Sequence, residues 1–314
     1  MKVMNMKHVY ALTMVILVGT IAADSTSLTT CSHTCGGKEI PYPFGINDTS
    51  SNSDCLVGGR LIRLYCNESK IYAGKNLQVL NINTSKSEID VLSYFSQYCG
   101  DENTTDTLTS EKTRVTFTTD LYTISSKENK FITVGYNSYG YFNSYRRNHT
   151  EYSTGCLTRT FGDQINDGKC SGVGCCQIDI PPKMKNISIQ ASNFNTSSKF
   201  CSYSFVIKND NYTFSSAHLK KGLPFKRLPV VLDWTIGKGN CSTASSKNNG
   251  VNYACKNNSH CYDQDMDFGY QCRCNTGYEG NPYHPNGCTG QFFYSNFGNL
   301  HLFLFSFKNL VSVQ

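Results

Sequence analysis

The sequence predicts a mainly β, disulfide-rich protein: one or two β domains followed by a small module held together by disulfides. Three observations carry that expectation. The 314-residue chain contains 16 cysteines. Six of them crowd into residues 241–288. Short period-two runs recur along the chain, and no stretch shows a long amphipathic helical pattern.

The cysteines divide into two even sets, so all can be paired. One set is Cys31, Cys35, Cys55, Cys66, Cys99, Cys156, Cys170, Cys175, Cys176 and Cys201; the other is Cys241, Cys255, Cys261, Cys272, Cys274 and Cys288. The second set spans 48 residues. A segment that short buries too little surface to be stable on core packing alone. Natural domains of this size add disulfides or a metal, and each bridge contributes about 2–4 kcal/mol. Zinc is disfavoured. No two cysteines have the commonest two-residue gap, and no His-x3–5-His pair accompanies Cys31/Cys35 or Cys170/Cys175. Spacing leaves the connectivity open. Neighbouring Cys175 and Cys176 are expected to bridge to different partners, since a bond between them is strained.

The N-terminus points to an oxidising compartment. Lys2 and Lys7 precede an uncharged, mainly apolar run from Val9 to Ile21, and small Ala22 and Ala23 follow. Residues 1–23 therefore read as a secretory signal peptide; the apolar run is short for a membrane span of about 20 residues. Losing Lys2 and Lys7 lowers the formal charge from +6 to +4. Ten Asn-x-Ser/Thr sequons follow, at Asn47, Asn67, Asn83, Asn103, Asn148, Asn186, Asn195, Asn211, Asn240 and Asn257. Behind a signal peptide they predict a glycosylated surface.

Strands are predicted at 60–65, 77–82, 114–119, 130–136, 187–190, 203–207 and 230–234, from β-branched and aromatic runs between turn-rich stretches. The best helix candidate is 88–98, with Val91, Leu92 and Phe95 at suitable spacing. Domain boundaries are placed in the tyrosine-rich stretch 137–154 and at Gly237-Lys238-Gly239. The resulting segments are 31–136, 137–236, 237–288 and an atypical apolar tail, 289–314. That tail is rich in Phe and Leu but carries only Lys308 as a basic anchor. Membrane anchoring depends on whether it spans.

The six-cysteine segment, with Gly277, Tyr278 and Gly280 after Cys272-Arg273-Cys274, resembles an EGF-like domain. The resemblance implies the pairs Cys241–Cys261, Cys255–Cys272 and Cys274–Cys288. Upstream stand Cys31-x3-Cys35-Gly36, Ile40-Pro41-Tyr42-Pro43-Phe44-Gly45, Cys55 and Leu64-Tyr65-Cys66. These resemble the galacturonan-binding domain of plant wall-associated receptor kinases. Gly174-Cys175-Cys176-Gln177, Pro229–Trp234 and Gly280-Asn281-Pro282-Tyr283 are similar to later parts of the same ectodomain. The resemblance implies an ectodomain that sits in the cell wall and engages pectin; a non-catalytic, secreted or cell-wall protein with no cofactor and no metal is expected. Kinase motifs are missing from these residues, so a truncated or secreted receptor-like form is expected. The alternative is a secreted module that binds extracellular proteins through the EGF-like domain. On the first reading, deleting 241–288 leaves pectin binding intact.

Galacturonan carries a carboxylate on each unesterified sugar. Its binder needs Lys or Arg for these groups, with aromatic faces for the rings. The N-terminal region offers Lys38, Tyr42, Arg60, Arg63, Tyr65 and Lys70 as candidates. On a strand, Arg63 and Tyr65 share one face. Phe44 and Trp234 are assigned to packing, and Pro41 and Pro43 are expected to hold their stretch extended. Calcium is not expected: Asp263, Asp265 and Asp267 lie away from the residues before Cys241, where EGF-like calcium sites begin. Nothing in the sequence points to nucleic acid.

Overall fold

Apolar and polar residues alternate along short segments, and a period of two places one set inward. In the computed structural model this alternation becomes three large sheets and four two-stranded ribbons. The residues described are 34–46, 62–74, 76–100, 111–117, 121–145, 151–160, 165–194, 200–246, 253–263 and 269–290, with strands at 292–294 and 303–305. The fold is mainly β.

Strands β1 (Thr34–Cys35) and β2 (Lys38–Glu39) form a small ribbon. A seven-stranded sheet contains β3 (Phe44–Ile46), β4 (Ile62–Asn67), β5 (Lys70–Ala73), β6 (Leu77–Asn83), β7 (Glu88–Ser93), β11 (Tyr122–Ile124) and β18 (Leu228–Trp234). Its order is β11-β18-β7-β6-β5-β4-β3. A five-stranded sheet contains β8 (Ser96–Cys99), β9 (Glu111–Lys112), β12 (Asn129–Val134), β15 (Cys175–Asp179) and β17 (Ser202–Lys208), in the order β15-β12-β17-β8-β9. A four-stranded sheet has the order β10-β16-β13-β14, from β10 (Arg114–Phe117), β13 (Ser138–Tyr145), β14 (Glu151–Thr158) and β16 (Lys185–Asn193).

The five-stranded sheet is buried on both faces. Phe131 and Val206 enter one apolar cluster with Phe44, Phe142, Ile189 and Trp234. Ile132, Val134, Phe205 and Ile207 enter a second cluster with Phe214 and Leu219, the latter from helix α1 (His218–Lys221). This explains why Ser202–Ile207 of β17 are all buried and Phe205-Val206-Ile207 run without a polar break, since a strand covered on both sides has no solvent face.

Two local expectations are corrected. Residues 88–98 are not helical but supply β7 and β8 to different sheets. Ile89 and Val91 are buried while Glu88 and Asp90 are only partly covered, so period two governs this stretch. The Pro41–Phe44 stretch is a turn rather than extended: the Phe44 amide donates to the Pro41 carbonyl at 3.0 Å, and the Tyr42–Pro43 bond is cis. The tyrosine-rich stretch at 138–145 is a strand paired on both sides, with β14 and β16. Strands from before and after residue 137 share each of the three large sheets.

Among the described residues no cysteine is free. The bonds are Cys35–Cys66, Cys99–Cys201, Cys156–Cys176, Cys170–Cys175, Cys241–Cys261, Cys255–Cys272 and Cys274–Cys288. Cys175 and Cys176 do bridge to different partners. Cys31 and Cys55 lie outside the described residues.

The C-terminal module has a short helix α2 (Cys241–Ser246), the hairpin β19 (Ser259–Tyr262) and β20 (Gln271–Cys274), and the ribbon β21 (Tyr278–Glu279) and β22 (Thr289–Gly290). Asn240 caps α2, its Oδ1 accepting from the Thr243 amide at 3.0 Å. Gly287 has φ +71°, and a Cβ there would stand 2.1 Å from the Asn257 carbonyl oxygen. Only glycine lets the Cys288 amide reach that carbonyl, at 2.9 Å. Within the tail, β23 (Phe292–Tyr294) pairs with β24 (Phe303–Phe305). No helix among the described residues is long and apolar enough to cross a membrane.

One buried carboxylate gives the fold a pH dependence. Asp233 on β18 stands opposite Glu88 on β7. Burial pushes its carboxyl up to about 6, a rise opposed by the Ser125 hydroxyl and by Lys127 and reinforced by Glu128. An unfolded chain releases this proton near 3.8. Between those values the unfolded state binds fewer protons, so this group lowers stability as pH rises from about 4 to 6. We expect Asp233→Asn to stabilise the protein at pH 7 by up to about 3 kcal/mol and to change little at pH 3.5. Urea denaturation at the two pH values checks this.

Candidate functional site

The site is built from a glycine turn clamped onto a hairpin. Cys35 pairs in register with Lys38 across Gly36-Gly37, at φ +57° and +78°. Both glycines occupy the left-handed region that a tight two-residue turn demands. A Cβ on Gly36 would meet the Ser69 Cβ at 2.4 Å and the Ser69 carbonyl oxygen at 2.7 Å. Glycine therefore allows the β1–β2 ribbon to rest on the Glu68-Ser69 turn between β4 and β5. The Cys35–Cys66 disulfide fastens the same two elements. The ribbon thus carries Lys38 to the end of the hairpin where Lys70 starts β5.

Between them lies a concavity of about 720 Å³. Its lining includes Lys38, Glu39, Pro41, Tyr42, Ser69 and Lys70, together with residues 78–82 of β6, among them the amides Gln78 and Asn81. Asn281 and His284 of the C-terminal module complete the lining. Among the described residues Lys38 and Lys70 have no ion-pair partner, unlike Lys130 with Asp179 or Lys208 with Asp90. Glu39 is the one carboxylate among the lining residues. The concavity therefore offers two exposed ammonium groups, amide donors and acceptors, and an aromatic ring.

Of the six residues singled out from sequence, the structure brings Lys38, Tyr42 and Lys70 together here. Arg63 and Tyr65 share the outward face of β4, as its alternating burial shows, but do not line the concavity. Arg60 lies outside the described residues. Sequence reasoning missed Ser69, the β6 residues 78–82, Asn281 and His284 as lining residues. Gly36-Gly37 was the available signal for the first; nothing local marked the others.

The remaining sequence-predicted sites are distributed over the surface. Asn67, Asn211, Asn240 and Asn257 are exposed, and Asn83 and Asn186 are partly covered. Asn47, Asn103, Asn148 and Asn195 are outside the described residues. Cys241, Cys261 and Asp263 form a cluster of metal-type donors. Both sulfurs are in a disulfide and offer no thiolate, and the Asp263 carboxylate accepts from the Cys241 amide at 2.7 Å. Asp265 and Asp267 are outside the described residues.

The C-terminal module is docked through buried contacts. Tyr283 packs its ring 5.1 Å from Trp234, whose other neighbour is Phe44 at 5.0 Å. The Tyr283 hydroxyl accepts from the Cys272 amide at 2.8 Å and lies 3.2 Å from the Ser87 hydroxyl. Burial pushes its phenol up to about 12, so it stays protonated. Gln271 Nε2 donates to the Trp234 carbonyl at 2.9 Å, and Ile236 and Tyr270 exchange backbone hydrogen bonds.

Fold and site define a disulfide-held β ectodomain with a basic concavity near its N-terminal ribbon. Residues 31–93 match the family model described as wall-associated receptor kinase galacturonan-binding. The chain is 33% identical to wall-associated receptor kinase 2 of Arabidopsis thaliana over 267 residues. It is 33% identical to wall-associated receptor kinase 5 over 266 residues and 31% identical to wall-associated receptor kinase 1 over 269, both from the same plant. Each match covers 82% of this chain and 34% of the relative, so the chain spans about a third of the length of these relatives. The chain therefore matches the N-terminal ectodomain region of wall-associated receptor kinases. No solved structure matches it.

Proposed function

We propose that this chain is a non-catalytic, extracellular binder of galacturonan, and that the concavity between Lys38 and Lys70 holds the polysaccharide. The observation that carries this reading is the pair of ammonium groups, without ion-pair partners among the described residues, that line one concavity inside the segment matching the galacturonan-binding model. Unesterified galacturonan presents successive carboxylates, so two cations on one surface can engage neighbouring sugars. Gln78 and Asn81 offer donors and acceptors for hydroxyl groups, and Tyr42 offers a ring beside them. The wall is the compartment where such a ligand is found. Arg63 and Tyr65, on the neighbouring strand, extend the basic and aromatic surface for a longer oligomer.

The test compares two double variants with the same charge change. Lys38→Glu/Lys70→Glu is expected to weaken oligogalacturonide binding roughly a hundredfold, the loss of two hydrogen bonds to charged groups. Lys220→Glu/Lys221→Glu, on the exposed face of α1, is expected to retain binding within a few-fold, since it alters only the long-range field. Isothermal titration with oligogalacturonide and a neutral glucan reads both. Equal losses in the two variants, or equal affinity for the neutral glucan, overturns the reading.

A further inference from the structure

We propose that the EGF-like module is part of the polysaccharide site: His284 contacts the acidic oligosaccharide within the concavity that Lys38 and Lys70 also line, and Asn281 positions the segment that carries it. The proposal rests on the concavity being the galacturonan site. It reverses the expectation that residues 241–288 can be removed without loss of binding.

The geometry is specific. The Asn281 side chain bridges the two parts of the molecule: Nδ2 donates to the Tyr42 carbonyl at 2.8 Å, and Oδ1 accepts from the Tyr283 amide at 3.0 Å. Both ends of the amide are thus engaged, so its role is to hold the segment against the Tyr42 turn. Tyr283 is 1% exposed and anchors the same segment in the core beside Trp234. His284 follows directly, is exposed, and sets its ring 5.6 Å from Tyr42 in an edge-on arrangement. Its Nδ1 accepts from the Asn286 amide at 3.2 Å. That leaves Nε2 to carry the ring proton, a donor suited to a carboxylate or sugar hydroxyl. An oligogalacturonide lying in the concavity therefore meets both cations from the N-terminal region and an imidazole donor from the EGF-like module. Such a site exists only while the two modules stay docked.

The experiment uses the full chain with defined oligogalacturonide as probe. His284→Ala removes an exposed ring and should leave the melting temperature unchanged. It is expected to weaken binding about tenfold, the loss of one hydrogen bond to a charged group. Arg273→Ala, on β20 and outside the concavity, is expected to bind as the parent does. Asn281→Ala, a positioning change, should also weaken binding and should loosen amide exchange at 281–288; ligand should no longer protect those amides as it does in the parent. Binding unchanged in His284→Ala, with no ligand protection of 281–288 in the parent chain, overturns the proposal. If Lys38→Glu/Lys70→Glu still abolishes binding in that case, the galacturonan reading stands and only the role of the EGF-like module falls. If the lysine reversals are silent too, the underlying site assignment is what fails.

Discussion

Trp234→Ala is expected to destabilise the protein by about 3–5 kcal/mol. Trp234 is the single tryptophan of the chain and is 0% exposed. It ends β18, which pairs with β7 on one side and β11 on the other. Its ring sits between Phe44 of the seven-stranded sheet and Tyr283 of the EGF-like module. Truncation leaves a cavity at the place where two apolar surfaces meet, and neither sheet nor disulfide-held module can collapse into it. For a chain of this length the loss should lower the melting temperature by roughly 10 °C. Circular dichroism during thermal unfolding reads it. Trp234→Phe should cost clearly less. Among the described residues the indole Nε1 has no hydrogen-bond partner, so phenylalanine keeps a ring while removing a buried donor that they do not satisfy. If alanine and phenylalanine cost the same, the ring contacts are not what joins the two parts.

Replacing Cys255 and Cys272 by alanine is the second large effect. The bond closes a loop with a sequence separation of 17, for which chain-entropy arguments give about 3 kcal/mol. Both sulfurs are buried, Cys272 fully. The Cys272 amide also donates to the Tyr283 hydroxyl, so loosening β20 frees the anchor of the segment that carries Asn281 and His284. We expect local rather than global unfolding: limited proteolysis should cut within 241–288 while strands such as Leu228–Trp234 stay protected. Oligogalacturonide binding should fall with it. Protease resistance equal to the parent would show that packing against Trp234 holds the module without this bond.

Much of this architecture is legible in the residues. The strands at 77–82, 130–136, 203–207 and 230–234 follow from alternation or from apolar runs, and the observed ends differ from these by at most two residues. The misreading at 88–98 has a plain cause. Val91, Leu92 and Phe95 fit a helical spacing, but Glu88-Ile89-Asp90-Val91 already alternates, and β7 gains partners from β6 and β18. Isolated periodicity cannot weigh two patterns that overlap; the sheet decides because its hydrogen bonds are to strands far away in sequence.

The candidate site shows the same division. Lys38, Tyr42 and Lys70 could be chosen from their chemistry, and so could Arg63 and Tyr65. Only the fold separates these two groups. It does so through the Cys35–Cys66 bond and the close contact of Gly36 with Ser69, which bring the ribbon over the hairpin. His284 and Asn281 carried no local signal, since a histidine or asparagine in a loop is most often solvated surface.

By itself the sequence determined that this protein is β-rich, disulfide-held and family-related to wall-associated receptor kinase ectodomains, because alternation, cysteine spacing and short motifs are properties of neighbouring residues. The tertiary structure decided which cations share a surface, and that the EGF-like module is docked beside them rather than set apart. Those are consequences of long-range burial around Trp234 and Tyr283, and burial between distant segments is fixed only when the whole chain packs.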